Sequence, residues 1–275
     1  MFKNFQKCVN NENLFMWNYN KITKCLITNG YYEFKDYLSK KELIIIRNTL
    51  LQTLDYIKPS KQKNLQKKYY EVKKFNSKLK GNWYDICKYN LDLLGILHKK
   101  EMISLVKKFF KTKVVFSGRP AIHVHDEAND RILDAHQETN QFARDTIVLW
   151  IPLFDTNAKT GGLKIYEKSH LKGYFKHNLE HPKLGKKAWT NKYTHIDKKY
   201  LNGLKEKKLK VKKGTAIIFL SSLVHSGYEN QDGKSVRITI TERFNPLKKL
   251  PYLKDEKAPL KMPYVGIDYN KLRID

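Results

Sequence analysis

From residue 113 onward, apolar residues stop recurring at helical spacing and come instead in short runs, some of them strictly alternating. Val114–Ser117, Ala121–His125, Thr146–Leu153, Gly162–Tyr166, Leu209–Val211, Ala216–Leu220 and Val236–Phe244 read as strands, separated by Gly, Asn, Asp or Lys-Gly punctuation. The alternation is plainest near residue 240. Val236, Ile238 and Ile240 share one face, and Arg237, Thr239 and Thr241 share the other. Before residue 113 the pattern is helical. Ser39 and Glu42 form a capping-box signature ahead of apolar positions 43, 46, 50, 51 and 54. Residues 61–80 and 89–110 are two further helix candidates, Gly30–Phe34 reads as a short strand, and 1–28 reads as a polar, weakly structured lead-in. Helices followed by a run of antiparallel strands predict a mainly β fold with flanking helices, a sandwich or barrel buttressed by the N-terminal segment. No repeat or linker interrupts the series. The expected organisation is one domain over 29–245, with a tail at 246–275 that holds Pro251, Pro259 and Pro263 and wraps on it in extended form.

Composition narrows the class. In 275 residues, 41% hydrophobic and 12% aromatic content is enough for a packed core and excludes wholesale disorder. Cys8, Cys25 and Cys87 are odd in number and lack metal-type spacing, so neither a disulfide framework nor a zinc ribbon is indicated. No apolar run approaches the roughly 20 residues that span a bilayer. The N-terminus has lysines but no apolar segment or cleavage site behind them, so a cytoplasmic protein is expected.

Charge is the feature most open to over-reading. The 54 basic against 27 acidic residues give a formal +27, which invites a nucleic-acid partner. Yet Lys dominates over Arg, the residue suited to bidentate phosphate and base recognition. Residues 114–158 hold no Lys, three Arg and seven acids. The charge therefore lies outside the most structured stretch, and no specific nucleic-acid partner is expected. The run from Lys58 to Lys80, interleaved with Tyr69, Tyr70 and Phe75, reads as a solvated face, with a polyanion-binding face as the alternative.

Three signals carry chemistry. His136-Gln137-Glu138 places two potential ligands two residues apart, on one side of an extended chain. His225 follows the apolar strand 216–220. Arg237 lies on the polar face of the last strand, and a guanidinium aimed into a cavity requires an anion. No acid shares its face as far as Arg243, another base, so a ligand carboxylate is the expected partner. Two imidazoles and one carboxylate leave three positions open on an octahedral ion, the arrangement of non-haem Fe(II) oxygenases.

At these positions the chain resembles the phytanoyl-CoA dioxygenase family of Fe(II)/2-oxoglutarate oxygenases. The resemblance runs over roughly 29–245 and includes Gly30–Ser39, His136 to Glu138, Trp150-Ile151-Pro152-Leu153, Gly161–Tyr166, Ser169-His170, Lys213–Phe219, His225 and Arg237. It implies a double-stranded β-helix (jelly-roll) fold. It implies iron held by His136, Glu138 and His225, Arg237 on the distal carboxylate of 2-oxoglutarate, and Gln137, Trp150 and Gly227 lining the pocket. It also implies use of O2, release of succinate and CO2, and hydroxylation of a small-molecule substrate, for which the basic flanks favour an anion.

The chain departs from the family pattern twice. Glu138 stands where Asp is usual, leaving Asp126 and Asp134 as alternative ligands, and its carboxylate argues against a halogenase. Glu167-Lys168-Ser169-His170 replaces a Pro-Gly-Ser-His turn and so loses the glycine's conformational freedom. His123 and His125, with Asp126, form a competing cluster, read as pocket lining, core histidines or a second metal site. Two other functions use the same residues: a zinc-dependent hydrolase, which leaves Arg237 unexplained, and a basic binding module without turnover.

Overall fold

The computed structural model describes residues 17–77, 83, 86, 89–118, 120–126, 134–138, 145–157, 160–178, 195–228 and 236–247. The tail beyond residue 247, Cys8 and Cys87 lie outside the described residues.

The polar lead-in contains a helix that hydropathy alone concealed. Helix α1 (Tyr19–Asn29) starts at Asn18, whose side chain accepts from the Lys21 N–H, and stops at Gly30 in the left-handed conformation (φ 81°). It buries only Ile22 and Leu26, too sparse a stripe to read from sequence. Gly30 is required twice over, because a Cβ there would stand 2.6 Å from His170 Nδ1.

Strand β1 (Tyr31–Phe34) leads into α2 (Lys40–Ile57), which has the capping box anticipated from Ser39 and Glu42. Helix α3 (Leu65–Phe75) is capped by Asn64 and is shorter than the 61–80 expectation. The single helix expected over 89–110 is two, α4 (Leu91–Leu97) and α5 (Lys100–Phe110). The break falls where neighbouring side chains serve different partners: His98 Nε2 meets Glu242 at 2.7 Å, and Lys99 Nζ donates to the Tyr37 carbonyl at 2.8 Å.

The β region follows as β2 (Val115–Ser117), β3 (Ala121–His125), β4 (Ile147–Pro152), β5 (Gly162–Tyr166), β6 (His177–Asn178), β7 (His195–Ile196), the short helix α6 (Lys198–Leu201), β8 (Glu206–Lys208), β9 (Ala216–Leu220), β10 (His225–Tyr228) and β11 (Arg237–Pro246). The predicted strand at 209–211 lies three residues earlier, at β8. Leu209 still donates to Leu163, but Val211 turns away to pair with Thr156.

All pairing is antiparallel. The larger sheet runs β1-β9-β4-β11-β2 with β3 also on β11, and the smaller runs β10-β5-β8. This is a jelly-roll core, mainly β with flanking helices. The pleat of the larger sheet sorts its residues into two layers. Ile122, Ile147, Leu149, Ile151, Ile218, Ile238, Ile240 and Phe244 pack outward against Ile22, Leu26, Leu50, Leu97 and Leu105 of the helices. Val148, Trp150, Ile217 and Phe219 point inward and meet Leu163 and Ile165 of the smaller sheet. Among the described residues, no helix is long and apolar enough to cross a membrane.

The lysine run is partly structural. Lys68 is fully buried, with Nζ 2.6 Å from Asp55 Oδ1, 2.6 Å from the Lys58 carbonyl and 2.7 Å from Ser60 Oγ. Lys73 Nζ lies 3.0 Å from the buried carboxylate of Asp126.

Candidate active site

The His136 segment lies against the start of β10. His136 and His225 exchange both main-chain hydrogen bonds, at 2.9 and 3.0 Å, and the Glu138 N–H donates to the Ser221 carbonyl at 3.0 Å. This places two segments distant in sequence side by side. One ligating atom from each of His136, Glu138 and His225 lies within 4.8 Å of the others, and no other group of this kind occurs among the described residues.

Both imidazoles are oriented by the same device. His136 Nδ1 donates to the Asp134 carbonyl at 2.7 Å, and His225 Nδ1 donates to the Leu223 carbonyl at 3.0 Å. A carbonyl can only accept, so each ring carries a proton on Nδ1, which leaves Nε2 as the atom available to a metal. Desolvation, then the nearby His225, lowers the His136 pKa to about 3, so this ring is neutral at ordinary pH. Glu138 titrates well below the usual carboxylate range. Burial alone would raise it, but the Arg243 guanidinium, followed by the contact with His225, outweighs that. Arg243 forms a fork on this carboxylate, Nη2 to Oε1 at 3.1 Å and Nε to Oε2 at 3.4 Å, and donates through Nη1 to Thr241 Oγ1 at 2.8 Å.

Neither alternative carboxylate joins the cluster. Asp126 takes the Tyr69 hydroxyl at 2.7 Å and Lys73, and Asp134 uses its main-chain carbonyl to orient His136. The His123–His125 cluster does not assemble three ligands; His123 Nε2 meets Thr241 Oγ1 at 3.0 Å.

Arg237 opens the inward face of β11, six residues before Arg243 and facing the same way. It is 4% exposed, and its Nε and Nη1 are buried with no hydrogen-bond partner. Desolvation lowers its pKa to about 10. Buried guanidinium donors left unpaired cost free energy.

The three remaining residues of the expected pocket fare differently. Trp150 is buried on the inward face of β4, opposite Thr241. Gly227 is two residues past His225 in β10, on the same inward face. Gln137 is a correction: it points away from its neighbours His136 and Glu138. Its amide donates to the Gly173 and Ser222 carbonyls at 2.8 and 2.6 Å and accepts the Phe175 N–H at 2.8 Å, while its own N–H donates to His177 Nε2 at 2.9 Å. Alternation in an extended segment requires this reversal. Gln137 thus clamps the ligand segment and does not line the cavity.

Arg243 is the residue that sequence reasoning passed over. Its place on the Arg237 face was legible from alternation, but its partner Glu138, 105 residues away, was not. The altered turn holds as well. Lys168 adopts the left-handed conformation (φ 58°) in place of the glycine, and Ser169 Oγ accepts the Val224 N–H at 2.9 Å, fixing the approach to His225.

The donor set suits a divalent metal of the iron type. Two imidazoles and one ionised carboxylate converge, and an unsatisfied guanidinium stands on the inward face of β11. A jelly roll carrying such a set defines a class, the mononuclear non-haem oxygenase fold. Within it, this chain belongs to the phytanoyl-CoA dioxygenase (PhyH) family, whose model matches residues 27–238. No curated protein matches the sequence.

Solved structures similar to this chain carry the same fold at low identity. The apo form of EctD from S. alaskensis has a TM-score of 0.58 at 12% identity, covering 83% of this chain and 77% of its own. SnoK, a non-heme alpha ketoglutarate dependent carbocyclase of nogalamycin biosynthesis, has 0.57 at 14%, covering 82% and 83%. The epimerase SnoN in complex with Fe3+, alpha ketoglutarate and nogalamycin RO has 0.55 at 10%, covering 83% of each chain.

Proposed function

We propose that this protein is an Fe(II)- and 2-oxoglutarate-dependent dioxygenase that hydroxylates a small anionic metabolite, releasing succinate and CO2. The observation that carries the reading is the buried guanidinium of Arg237, with two N–H groups unsatisfied on the inward face of β11, in a jelly roll that also assembles a His–Glu–His cluster. A hydrolytic zinc site has no use for it. A keto-diacid with its head at the metal and its tail at Arg237 satisfies both.

His136, Glu138 and His225 would hold the metal, with the main-chain acceptors at Asp134 and Leu223 fixing the two rings through Nδ1 and leaving each Nε2 available to it. When bound, ferrous iron with 2-oxoglutarate and O2 supplies the oxidising power for cleaving an unactivated C–H bond. Arg237 fixes the distal carboxylate and so sets the orientation of the co-substrate. Trp150, with Val148, Leu163 and Phe219, walls the space between the sheets and excludes water. The Glu138 carboxylate occupies the third protein ligand position, which supports hydroxylation over halide transfer. The basic flanks support an anionic substrate by electrostatic attraction.

Aerobic incubation with Fe(II), 2-oxoglutarate and a panel of carboxylate- and phosphate-bearing metabolites, assayed for succinate and product mass, tests the reading. Succinate with a product heavier by one oxygen supports hydroxylation. Succinate with an isomer or a product lighter by two hydrogens keeps the co-substrate and replaces the outcome. Absence of an anaerobic charge-transfer band on adding 2-oxoglutarate to the Fe(II) protein would refute the site.

A further inference from the structure

The proposed reaction leaves idle a second group on the inward face of the larger sheet. His125 on β3 is the direct cross-strand partner of Arg237 on β11. Side chains of such a pair project to the same side with Cβ atoms about 4.5–5.5 Å apart. The two side chains therefore stand next to each other on the inward face. His123, two residues earlier on the same face, is tied to Thr241. His125 is different: among the described residues its ring has no hydrogen-bond partner, although it is only partly exposed. An imidazole with open hydrogen-bonding capacity thus stands beside a guanidinium with two unpaired N–H groups.

We propose that His125 is the second arm of the carboxylate clamp, donating one N–H to the distal carboxylate of 2-oxoglutarate while Arg237 grips it through the guanidinium fork. The proposal rests on reading the site as a 2-oxoglutarate site. Two properties support it. A carboxylate has about four lone-pair positions and the fork fills two, so a third donor has somewhere to bind. Desolvation, with Arg237 adding to it, holds the His125 pKa well below its usual value. The arm is accordingly neutral, and one carboxylate charge balances one guanidinium charge with no surplus cation from the imidazole.

The test compares two ligands on the Ni(II)-substituted protein by calorimetry. One is 2-oxoglutarate; the other is 2-oxobutyrate, which has the same keto-acid head and no distal carboxylate. His125→Ala is expected to weaken 2-oxoglutarate roughly 10-fold, the scale of a hydrogen bond to a charged group, and to leave 2-oxobutyrate within about twofold, well inside the few-tenths-of-a-kcal/mol error of such comparisons. His125→Gln, which keeps a neutral N–H donor, should restore most of the loss. Unchanged 2-oxoglutarate binding in His125→Ala, or an equal loss for both ligands, overturns the assignment. If the unsubstituted protein binds no 2-oxoglutarate, the reading of the site fails first, and the two failures are told apart.

Discussion

Replacing Arg237 by Met should make the ligand-free protein more stable and remove its response to 2-oxoglutarate. The guanidinium is 4% exposed with Nε and Nη1 unpaired. Its pKa is lowered to about 10, chiefly through burial. At about 1.4 kcal/mol per pH unit, holding that charge in the folded state near neutrality costs about 3 kcal/mol relative to water. Methionine fills a similar length without charge and adapts to irregular space, and apolar replacement of buried charges is often stabilising by about 1–4 kcal/mol. A gain of about 1–3 kcal/mol is expected, read as a higher urea midpoint of the metal-free variant. Ligand binding should move the other way. Losing the cation opposite a buried carboxylate costs about 3–5 kcal/mol, or roughly 10²–10³-fold and more in Kd. The thermal shift that 2-oxoglutarate gives the Ni(II) protein should vanish. If the variant is instead less stable by more than about 1 kcal/mol, Arg237 has a structural partner, and if the shift persists, it is not the anchor.

Further outcomes follow from other parts of the molecule. His123, His136 and His177 have pKa values lowered to about 3, 3 and 4, in each case first by desolvation. Because these folded-state values lie below the ordinary 6.5, the unfolded chain binds more protons at acid pH. The associated stability is full above pH 6.5 and is lost as pH falls, by roughly 2 kcal/mol per histidine at pH 5; equal urea midpoints of the metal-free protein at pH 7.5 and 5.0 would contradict this. Gln137→Ala strands two carbonyls and one N–H, so a loss of about 2–4 kcal/mol is expected. The loosened ligand segment should also bind Co(II) about 10-fold less tightly, and unchanged affinity would remove the clamp role. Lys68→Met should lower the melting temperature by several degrees, while Lys67→Ala on the exposed side of the same helix should move it little. Equal effects would mean that the buried ammonium site is not structural.

The strands that carry the site were readable because each of their signals is local. The predicted bounds of β3, β5 and β9 agree with the structure, and the two faces of β11 follow from alternation alone. The capping box at Ser39 and Glu42 is likewise local. What escaped depends on distant partners. Helix α1 lacks a strong stripe and is held by its caps and two buried residues. His125 belonged to a cluster legible in sequence, but its pairing with Arg237 required the β3–β11 register. Strand β10, His225-Ser226-Gly227-Tyr228, has no apolar alternation and is extended because β5 pairs with it. Gln137 was placed in the pocket by likeness, although the alternation that put His136 and Glu138 together already turned it away. The partnership of Arg243 with Glu138 required the fold.

Strand β11 presents grease to the helices and charge to the cavity along one unbroken backbone. Deleting or inserting a single residue within it would invert both layers beyond that point, sending Ile238 or Ile240 to the inward face and Arg243 into oil. Changes by two residues keep the sides straight while sliding the two arginines along the ladder. Drift in this strand is therefore quantised, and homologous chains should vary there in composition far more freely than in length.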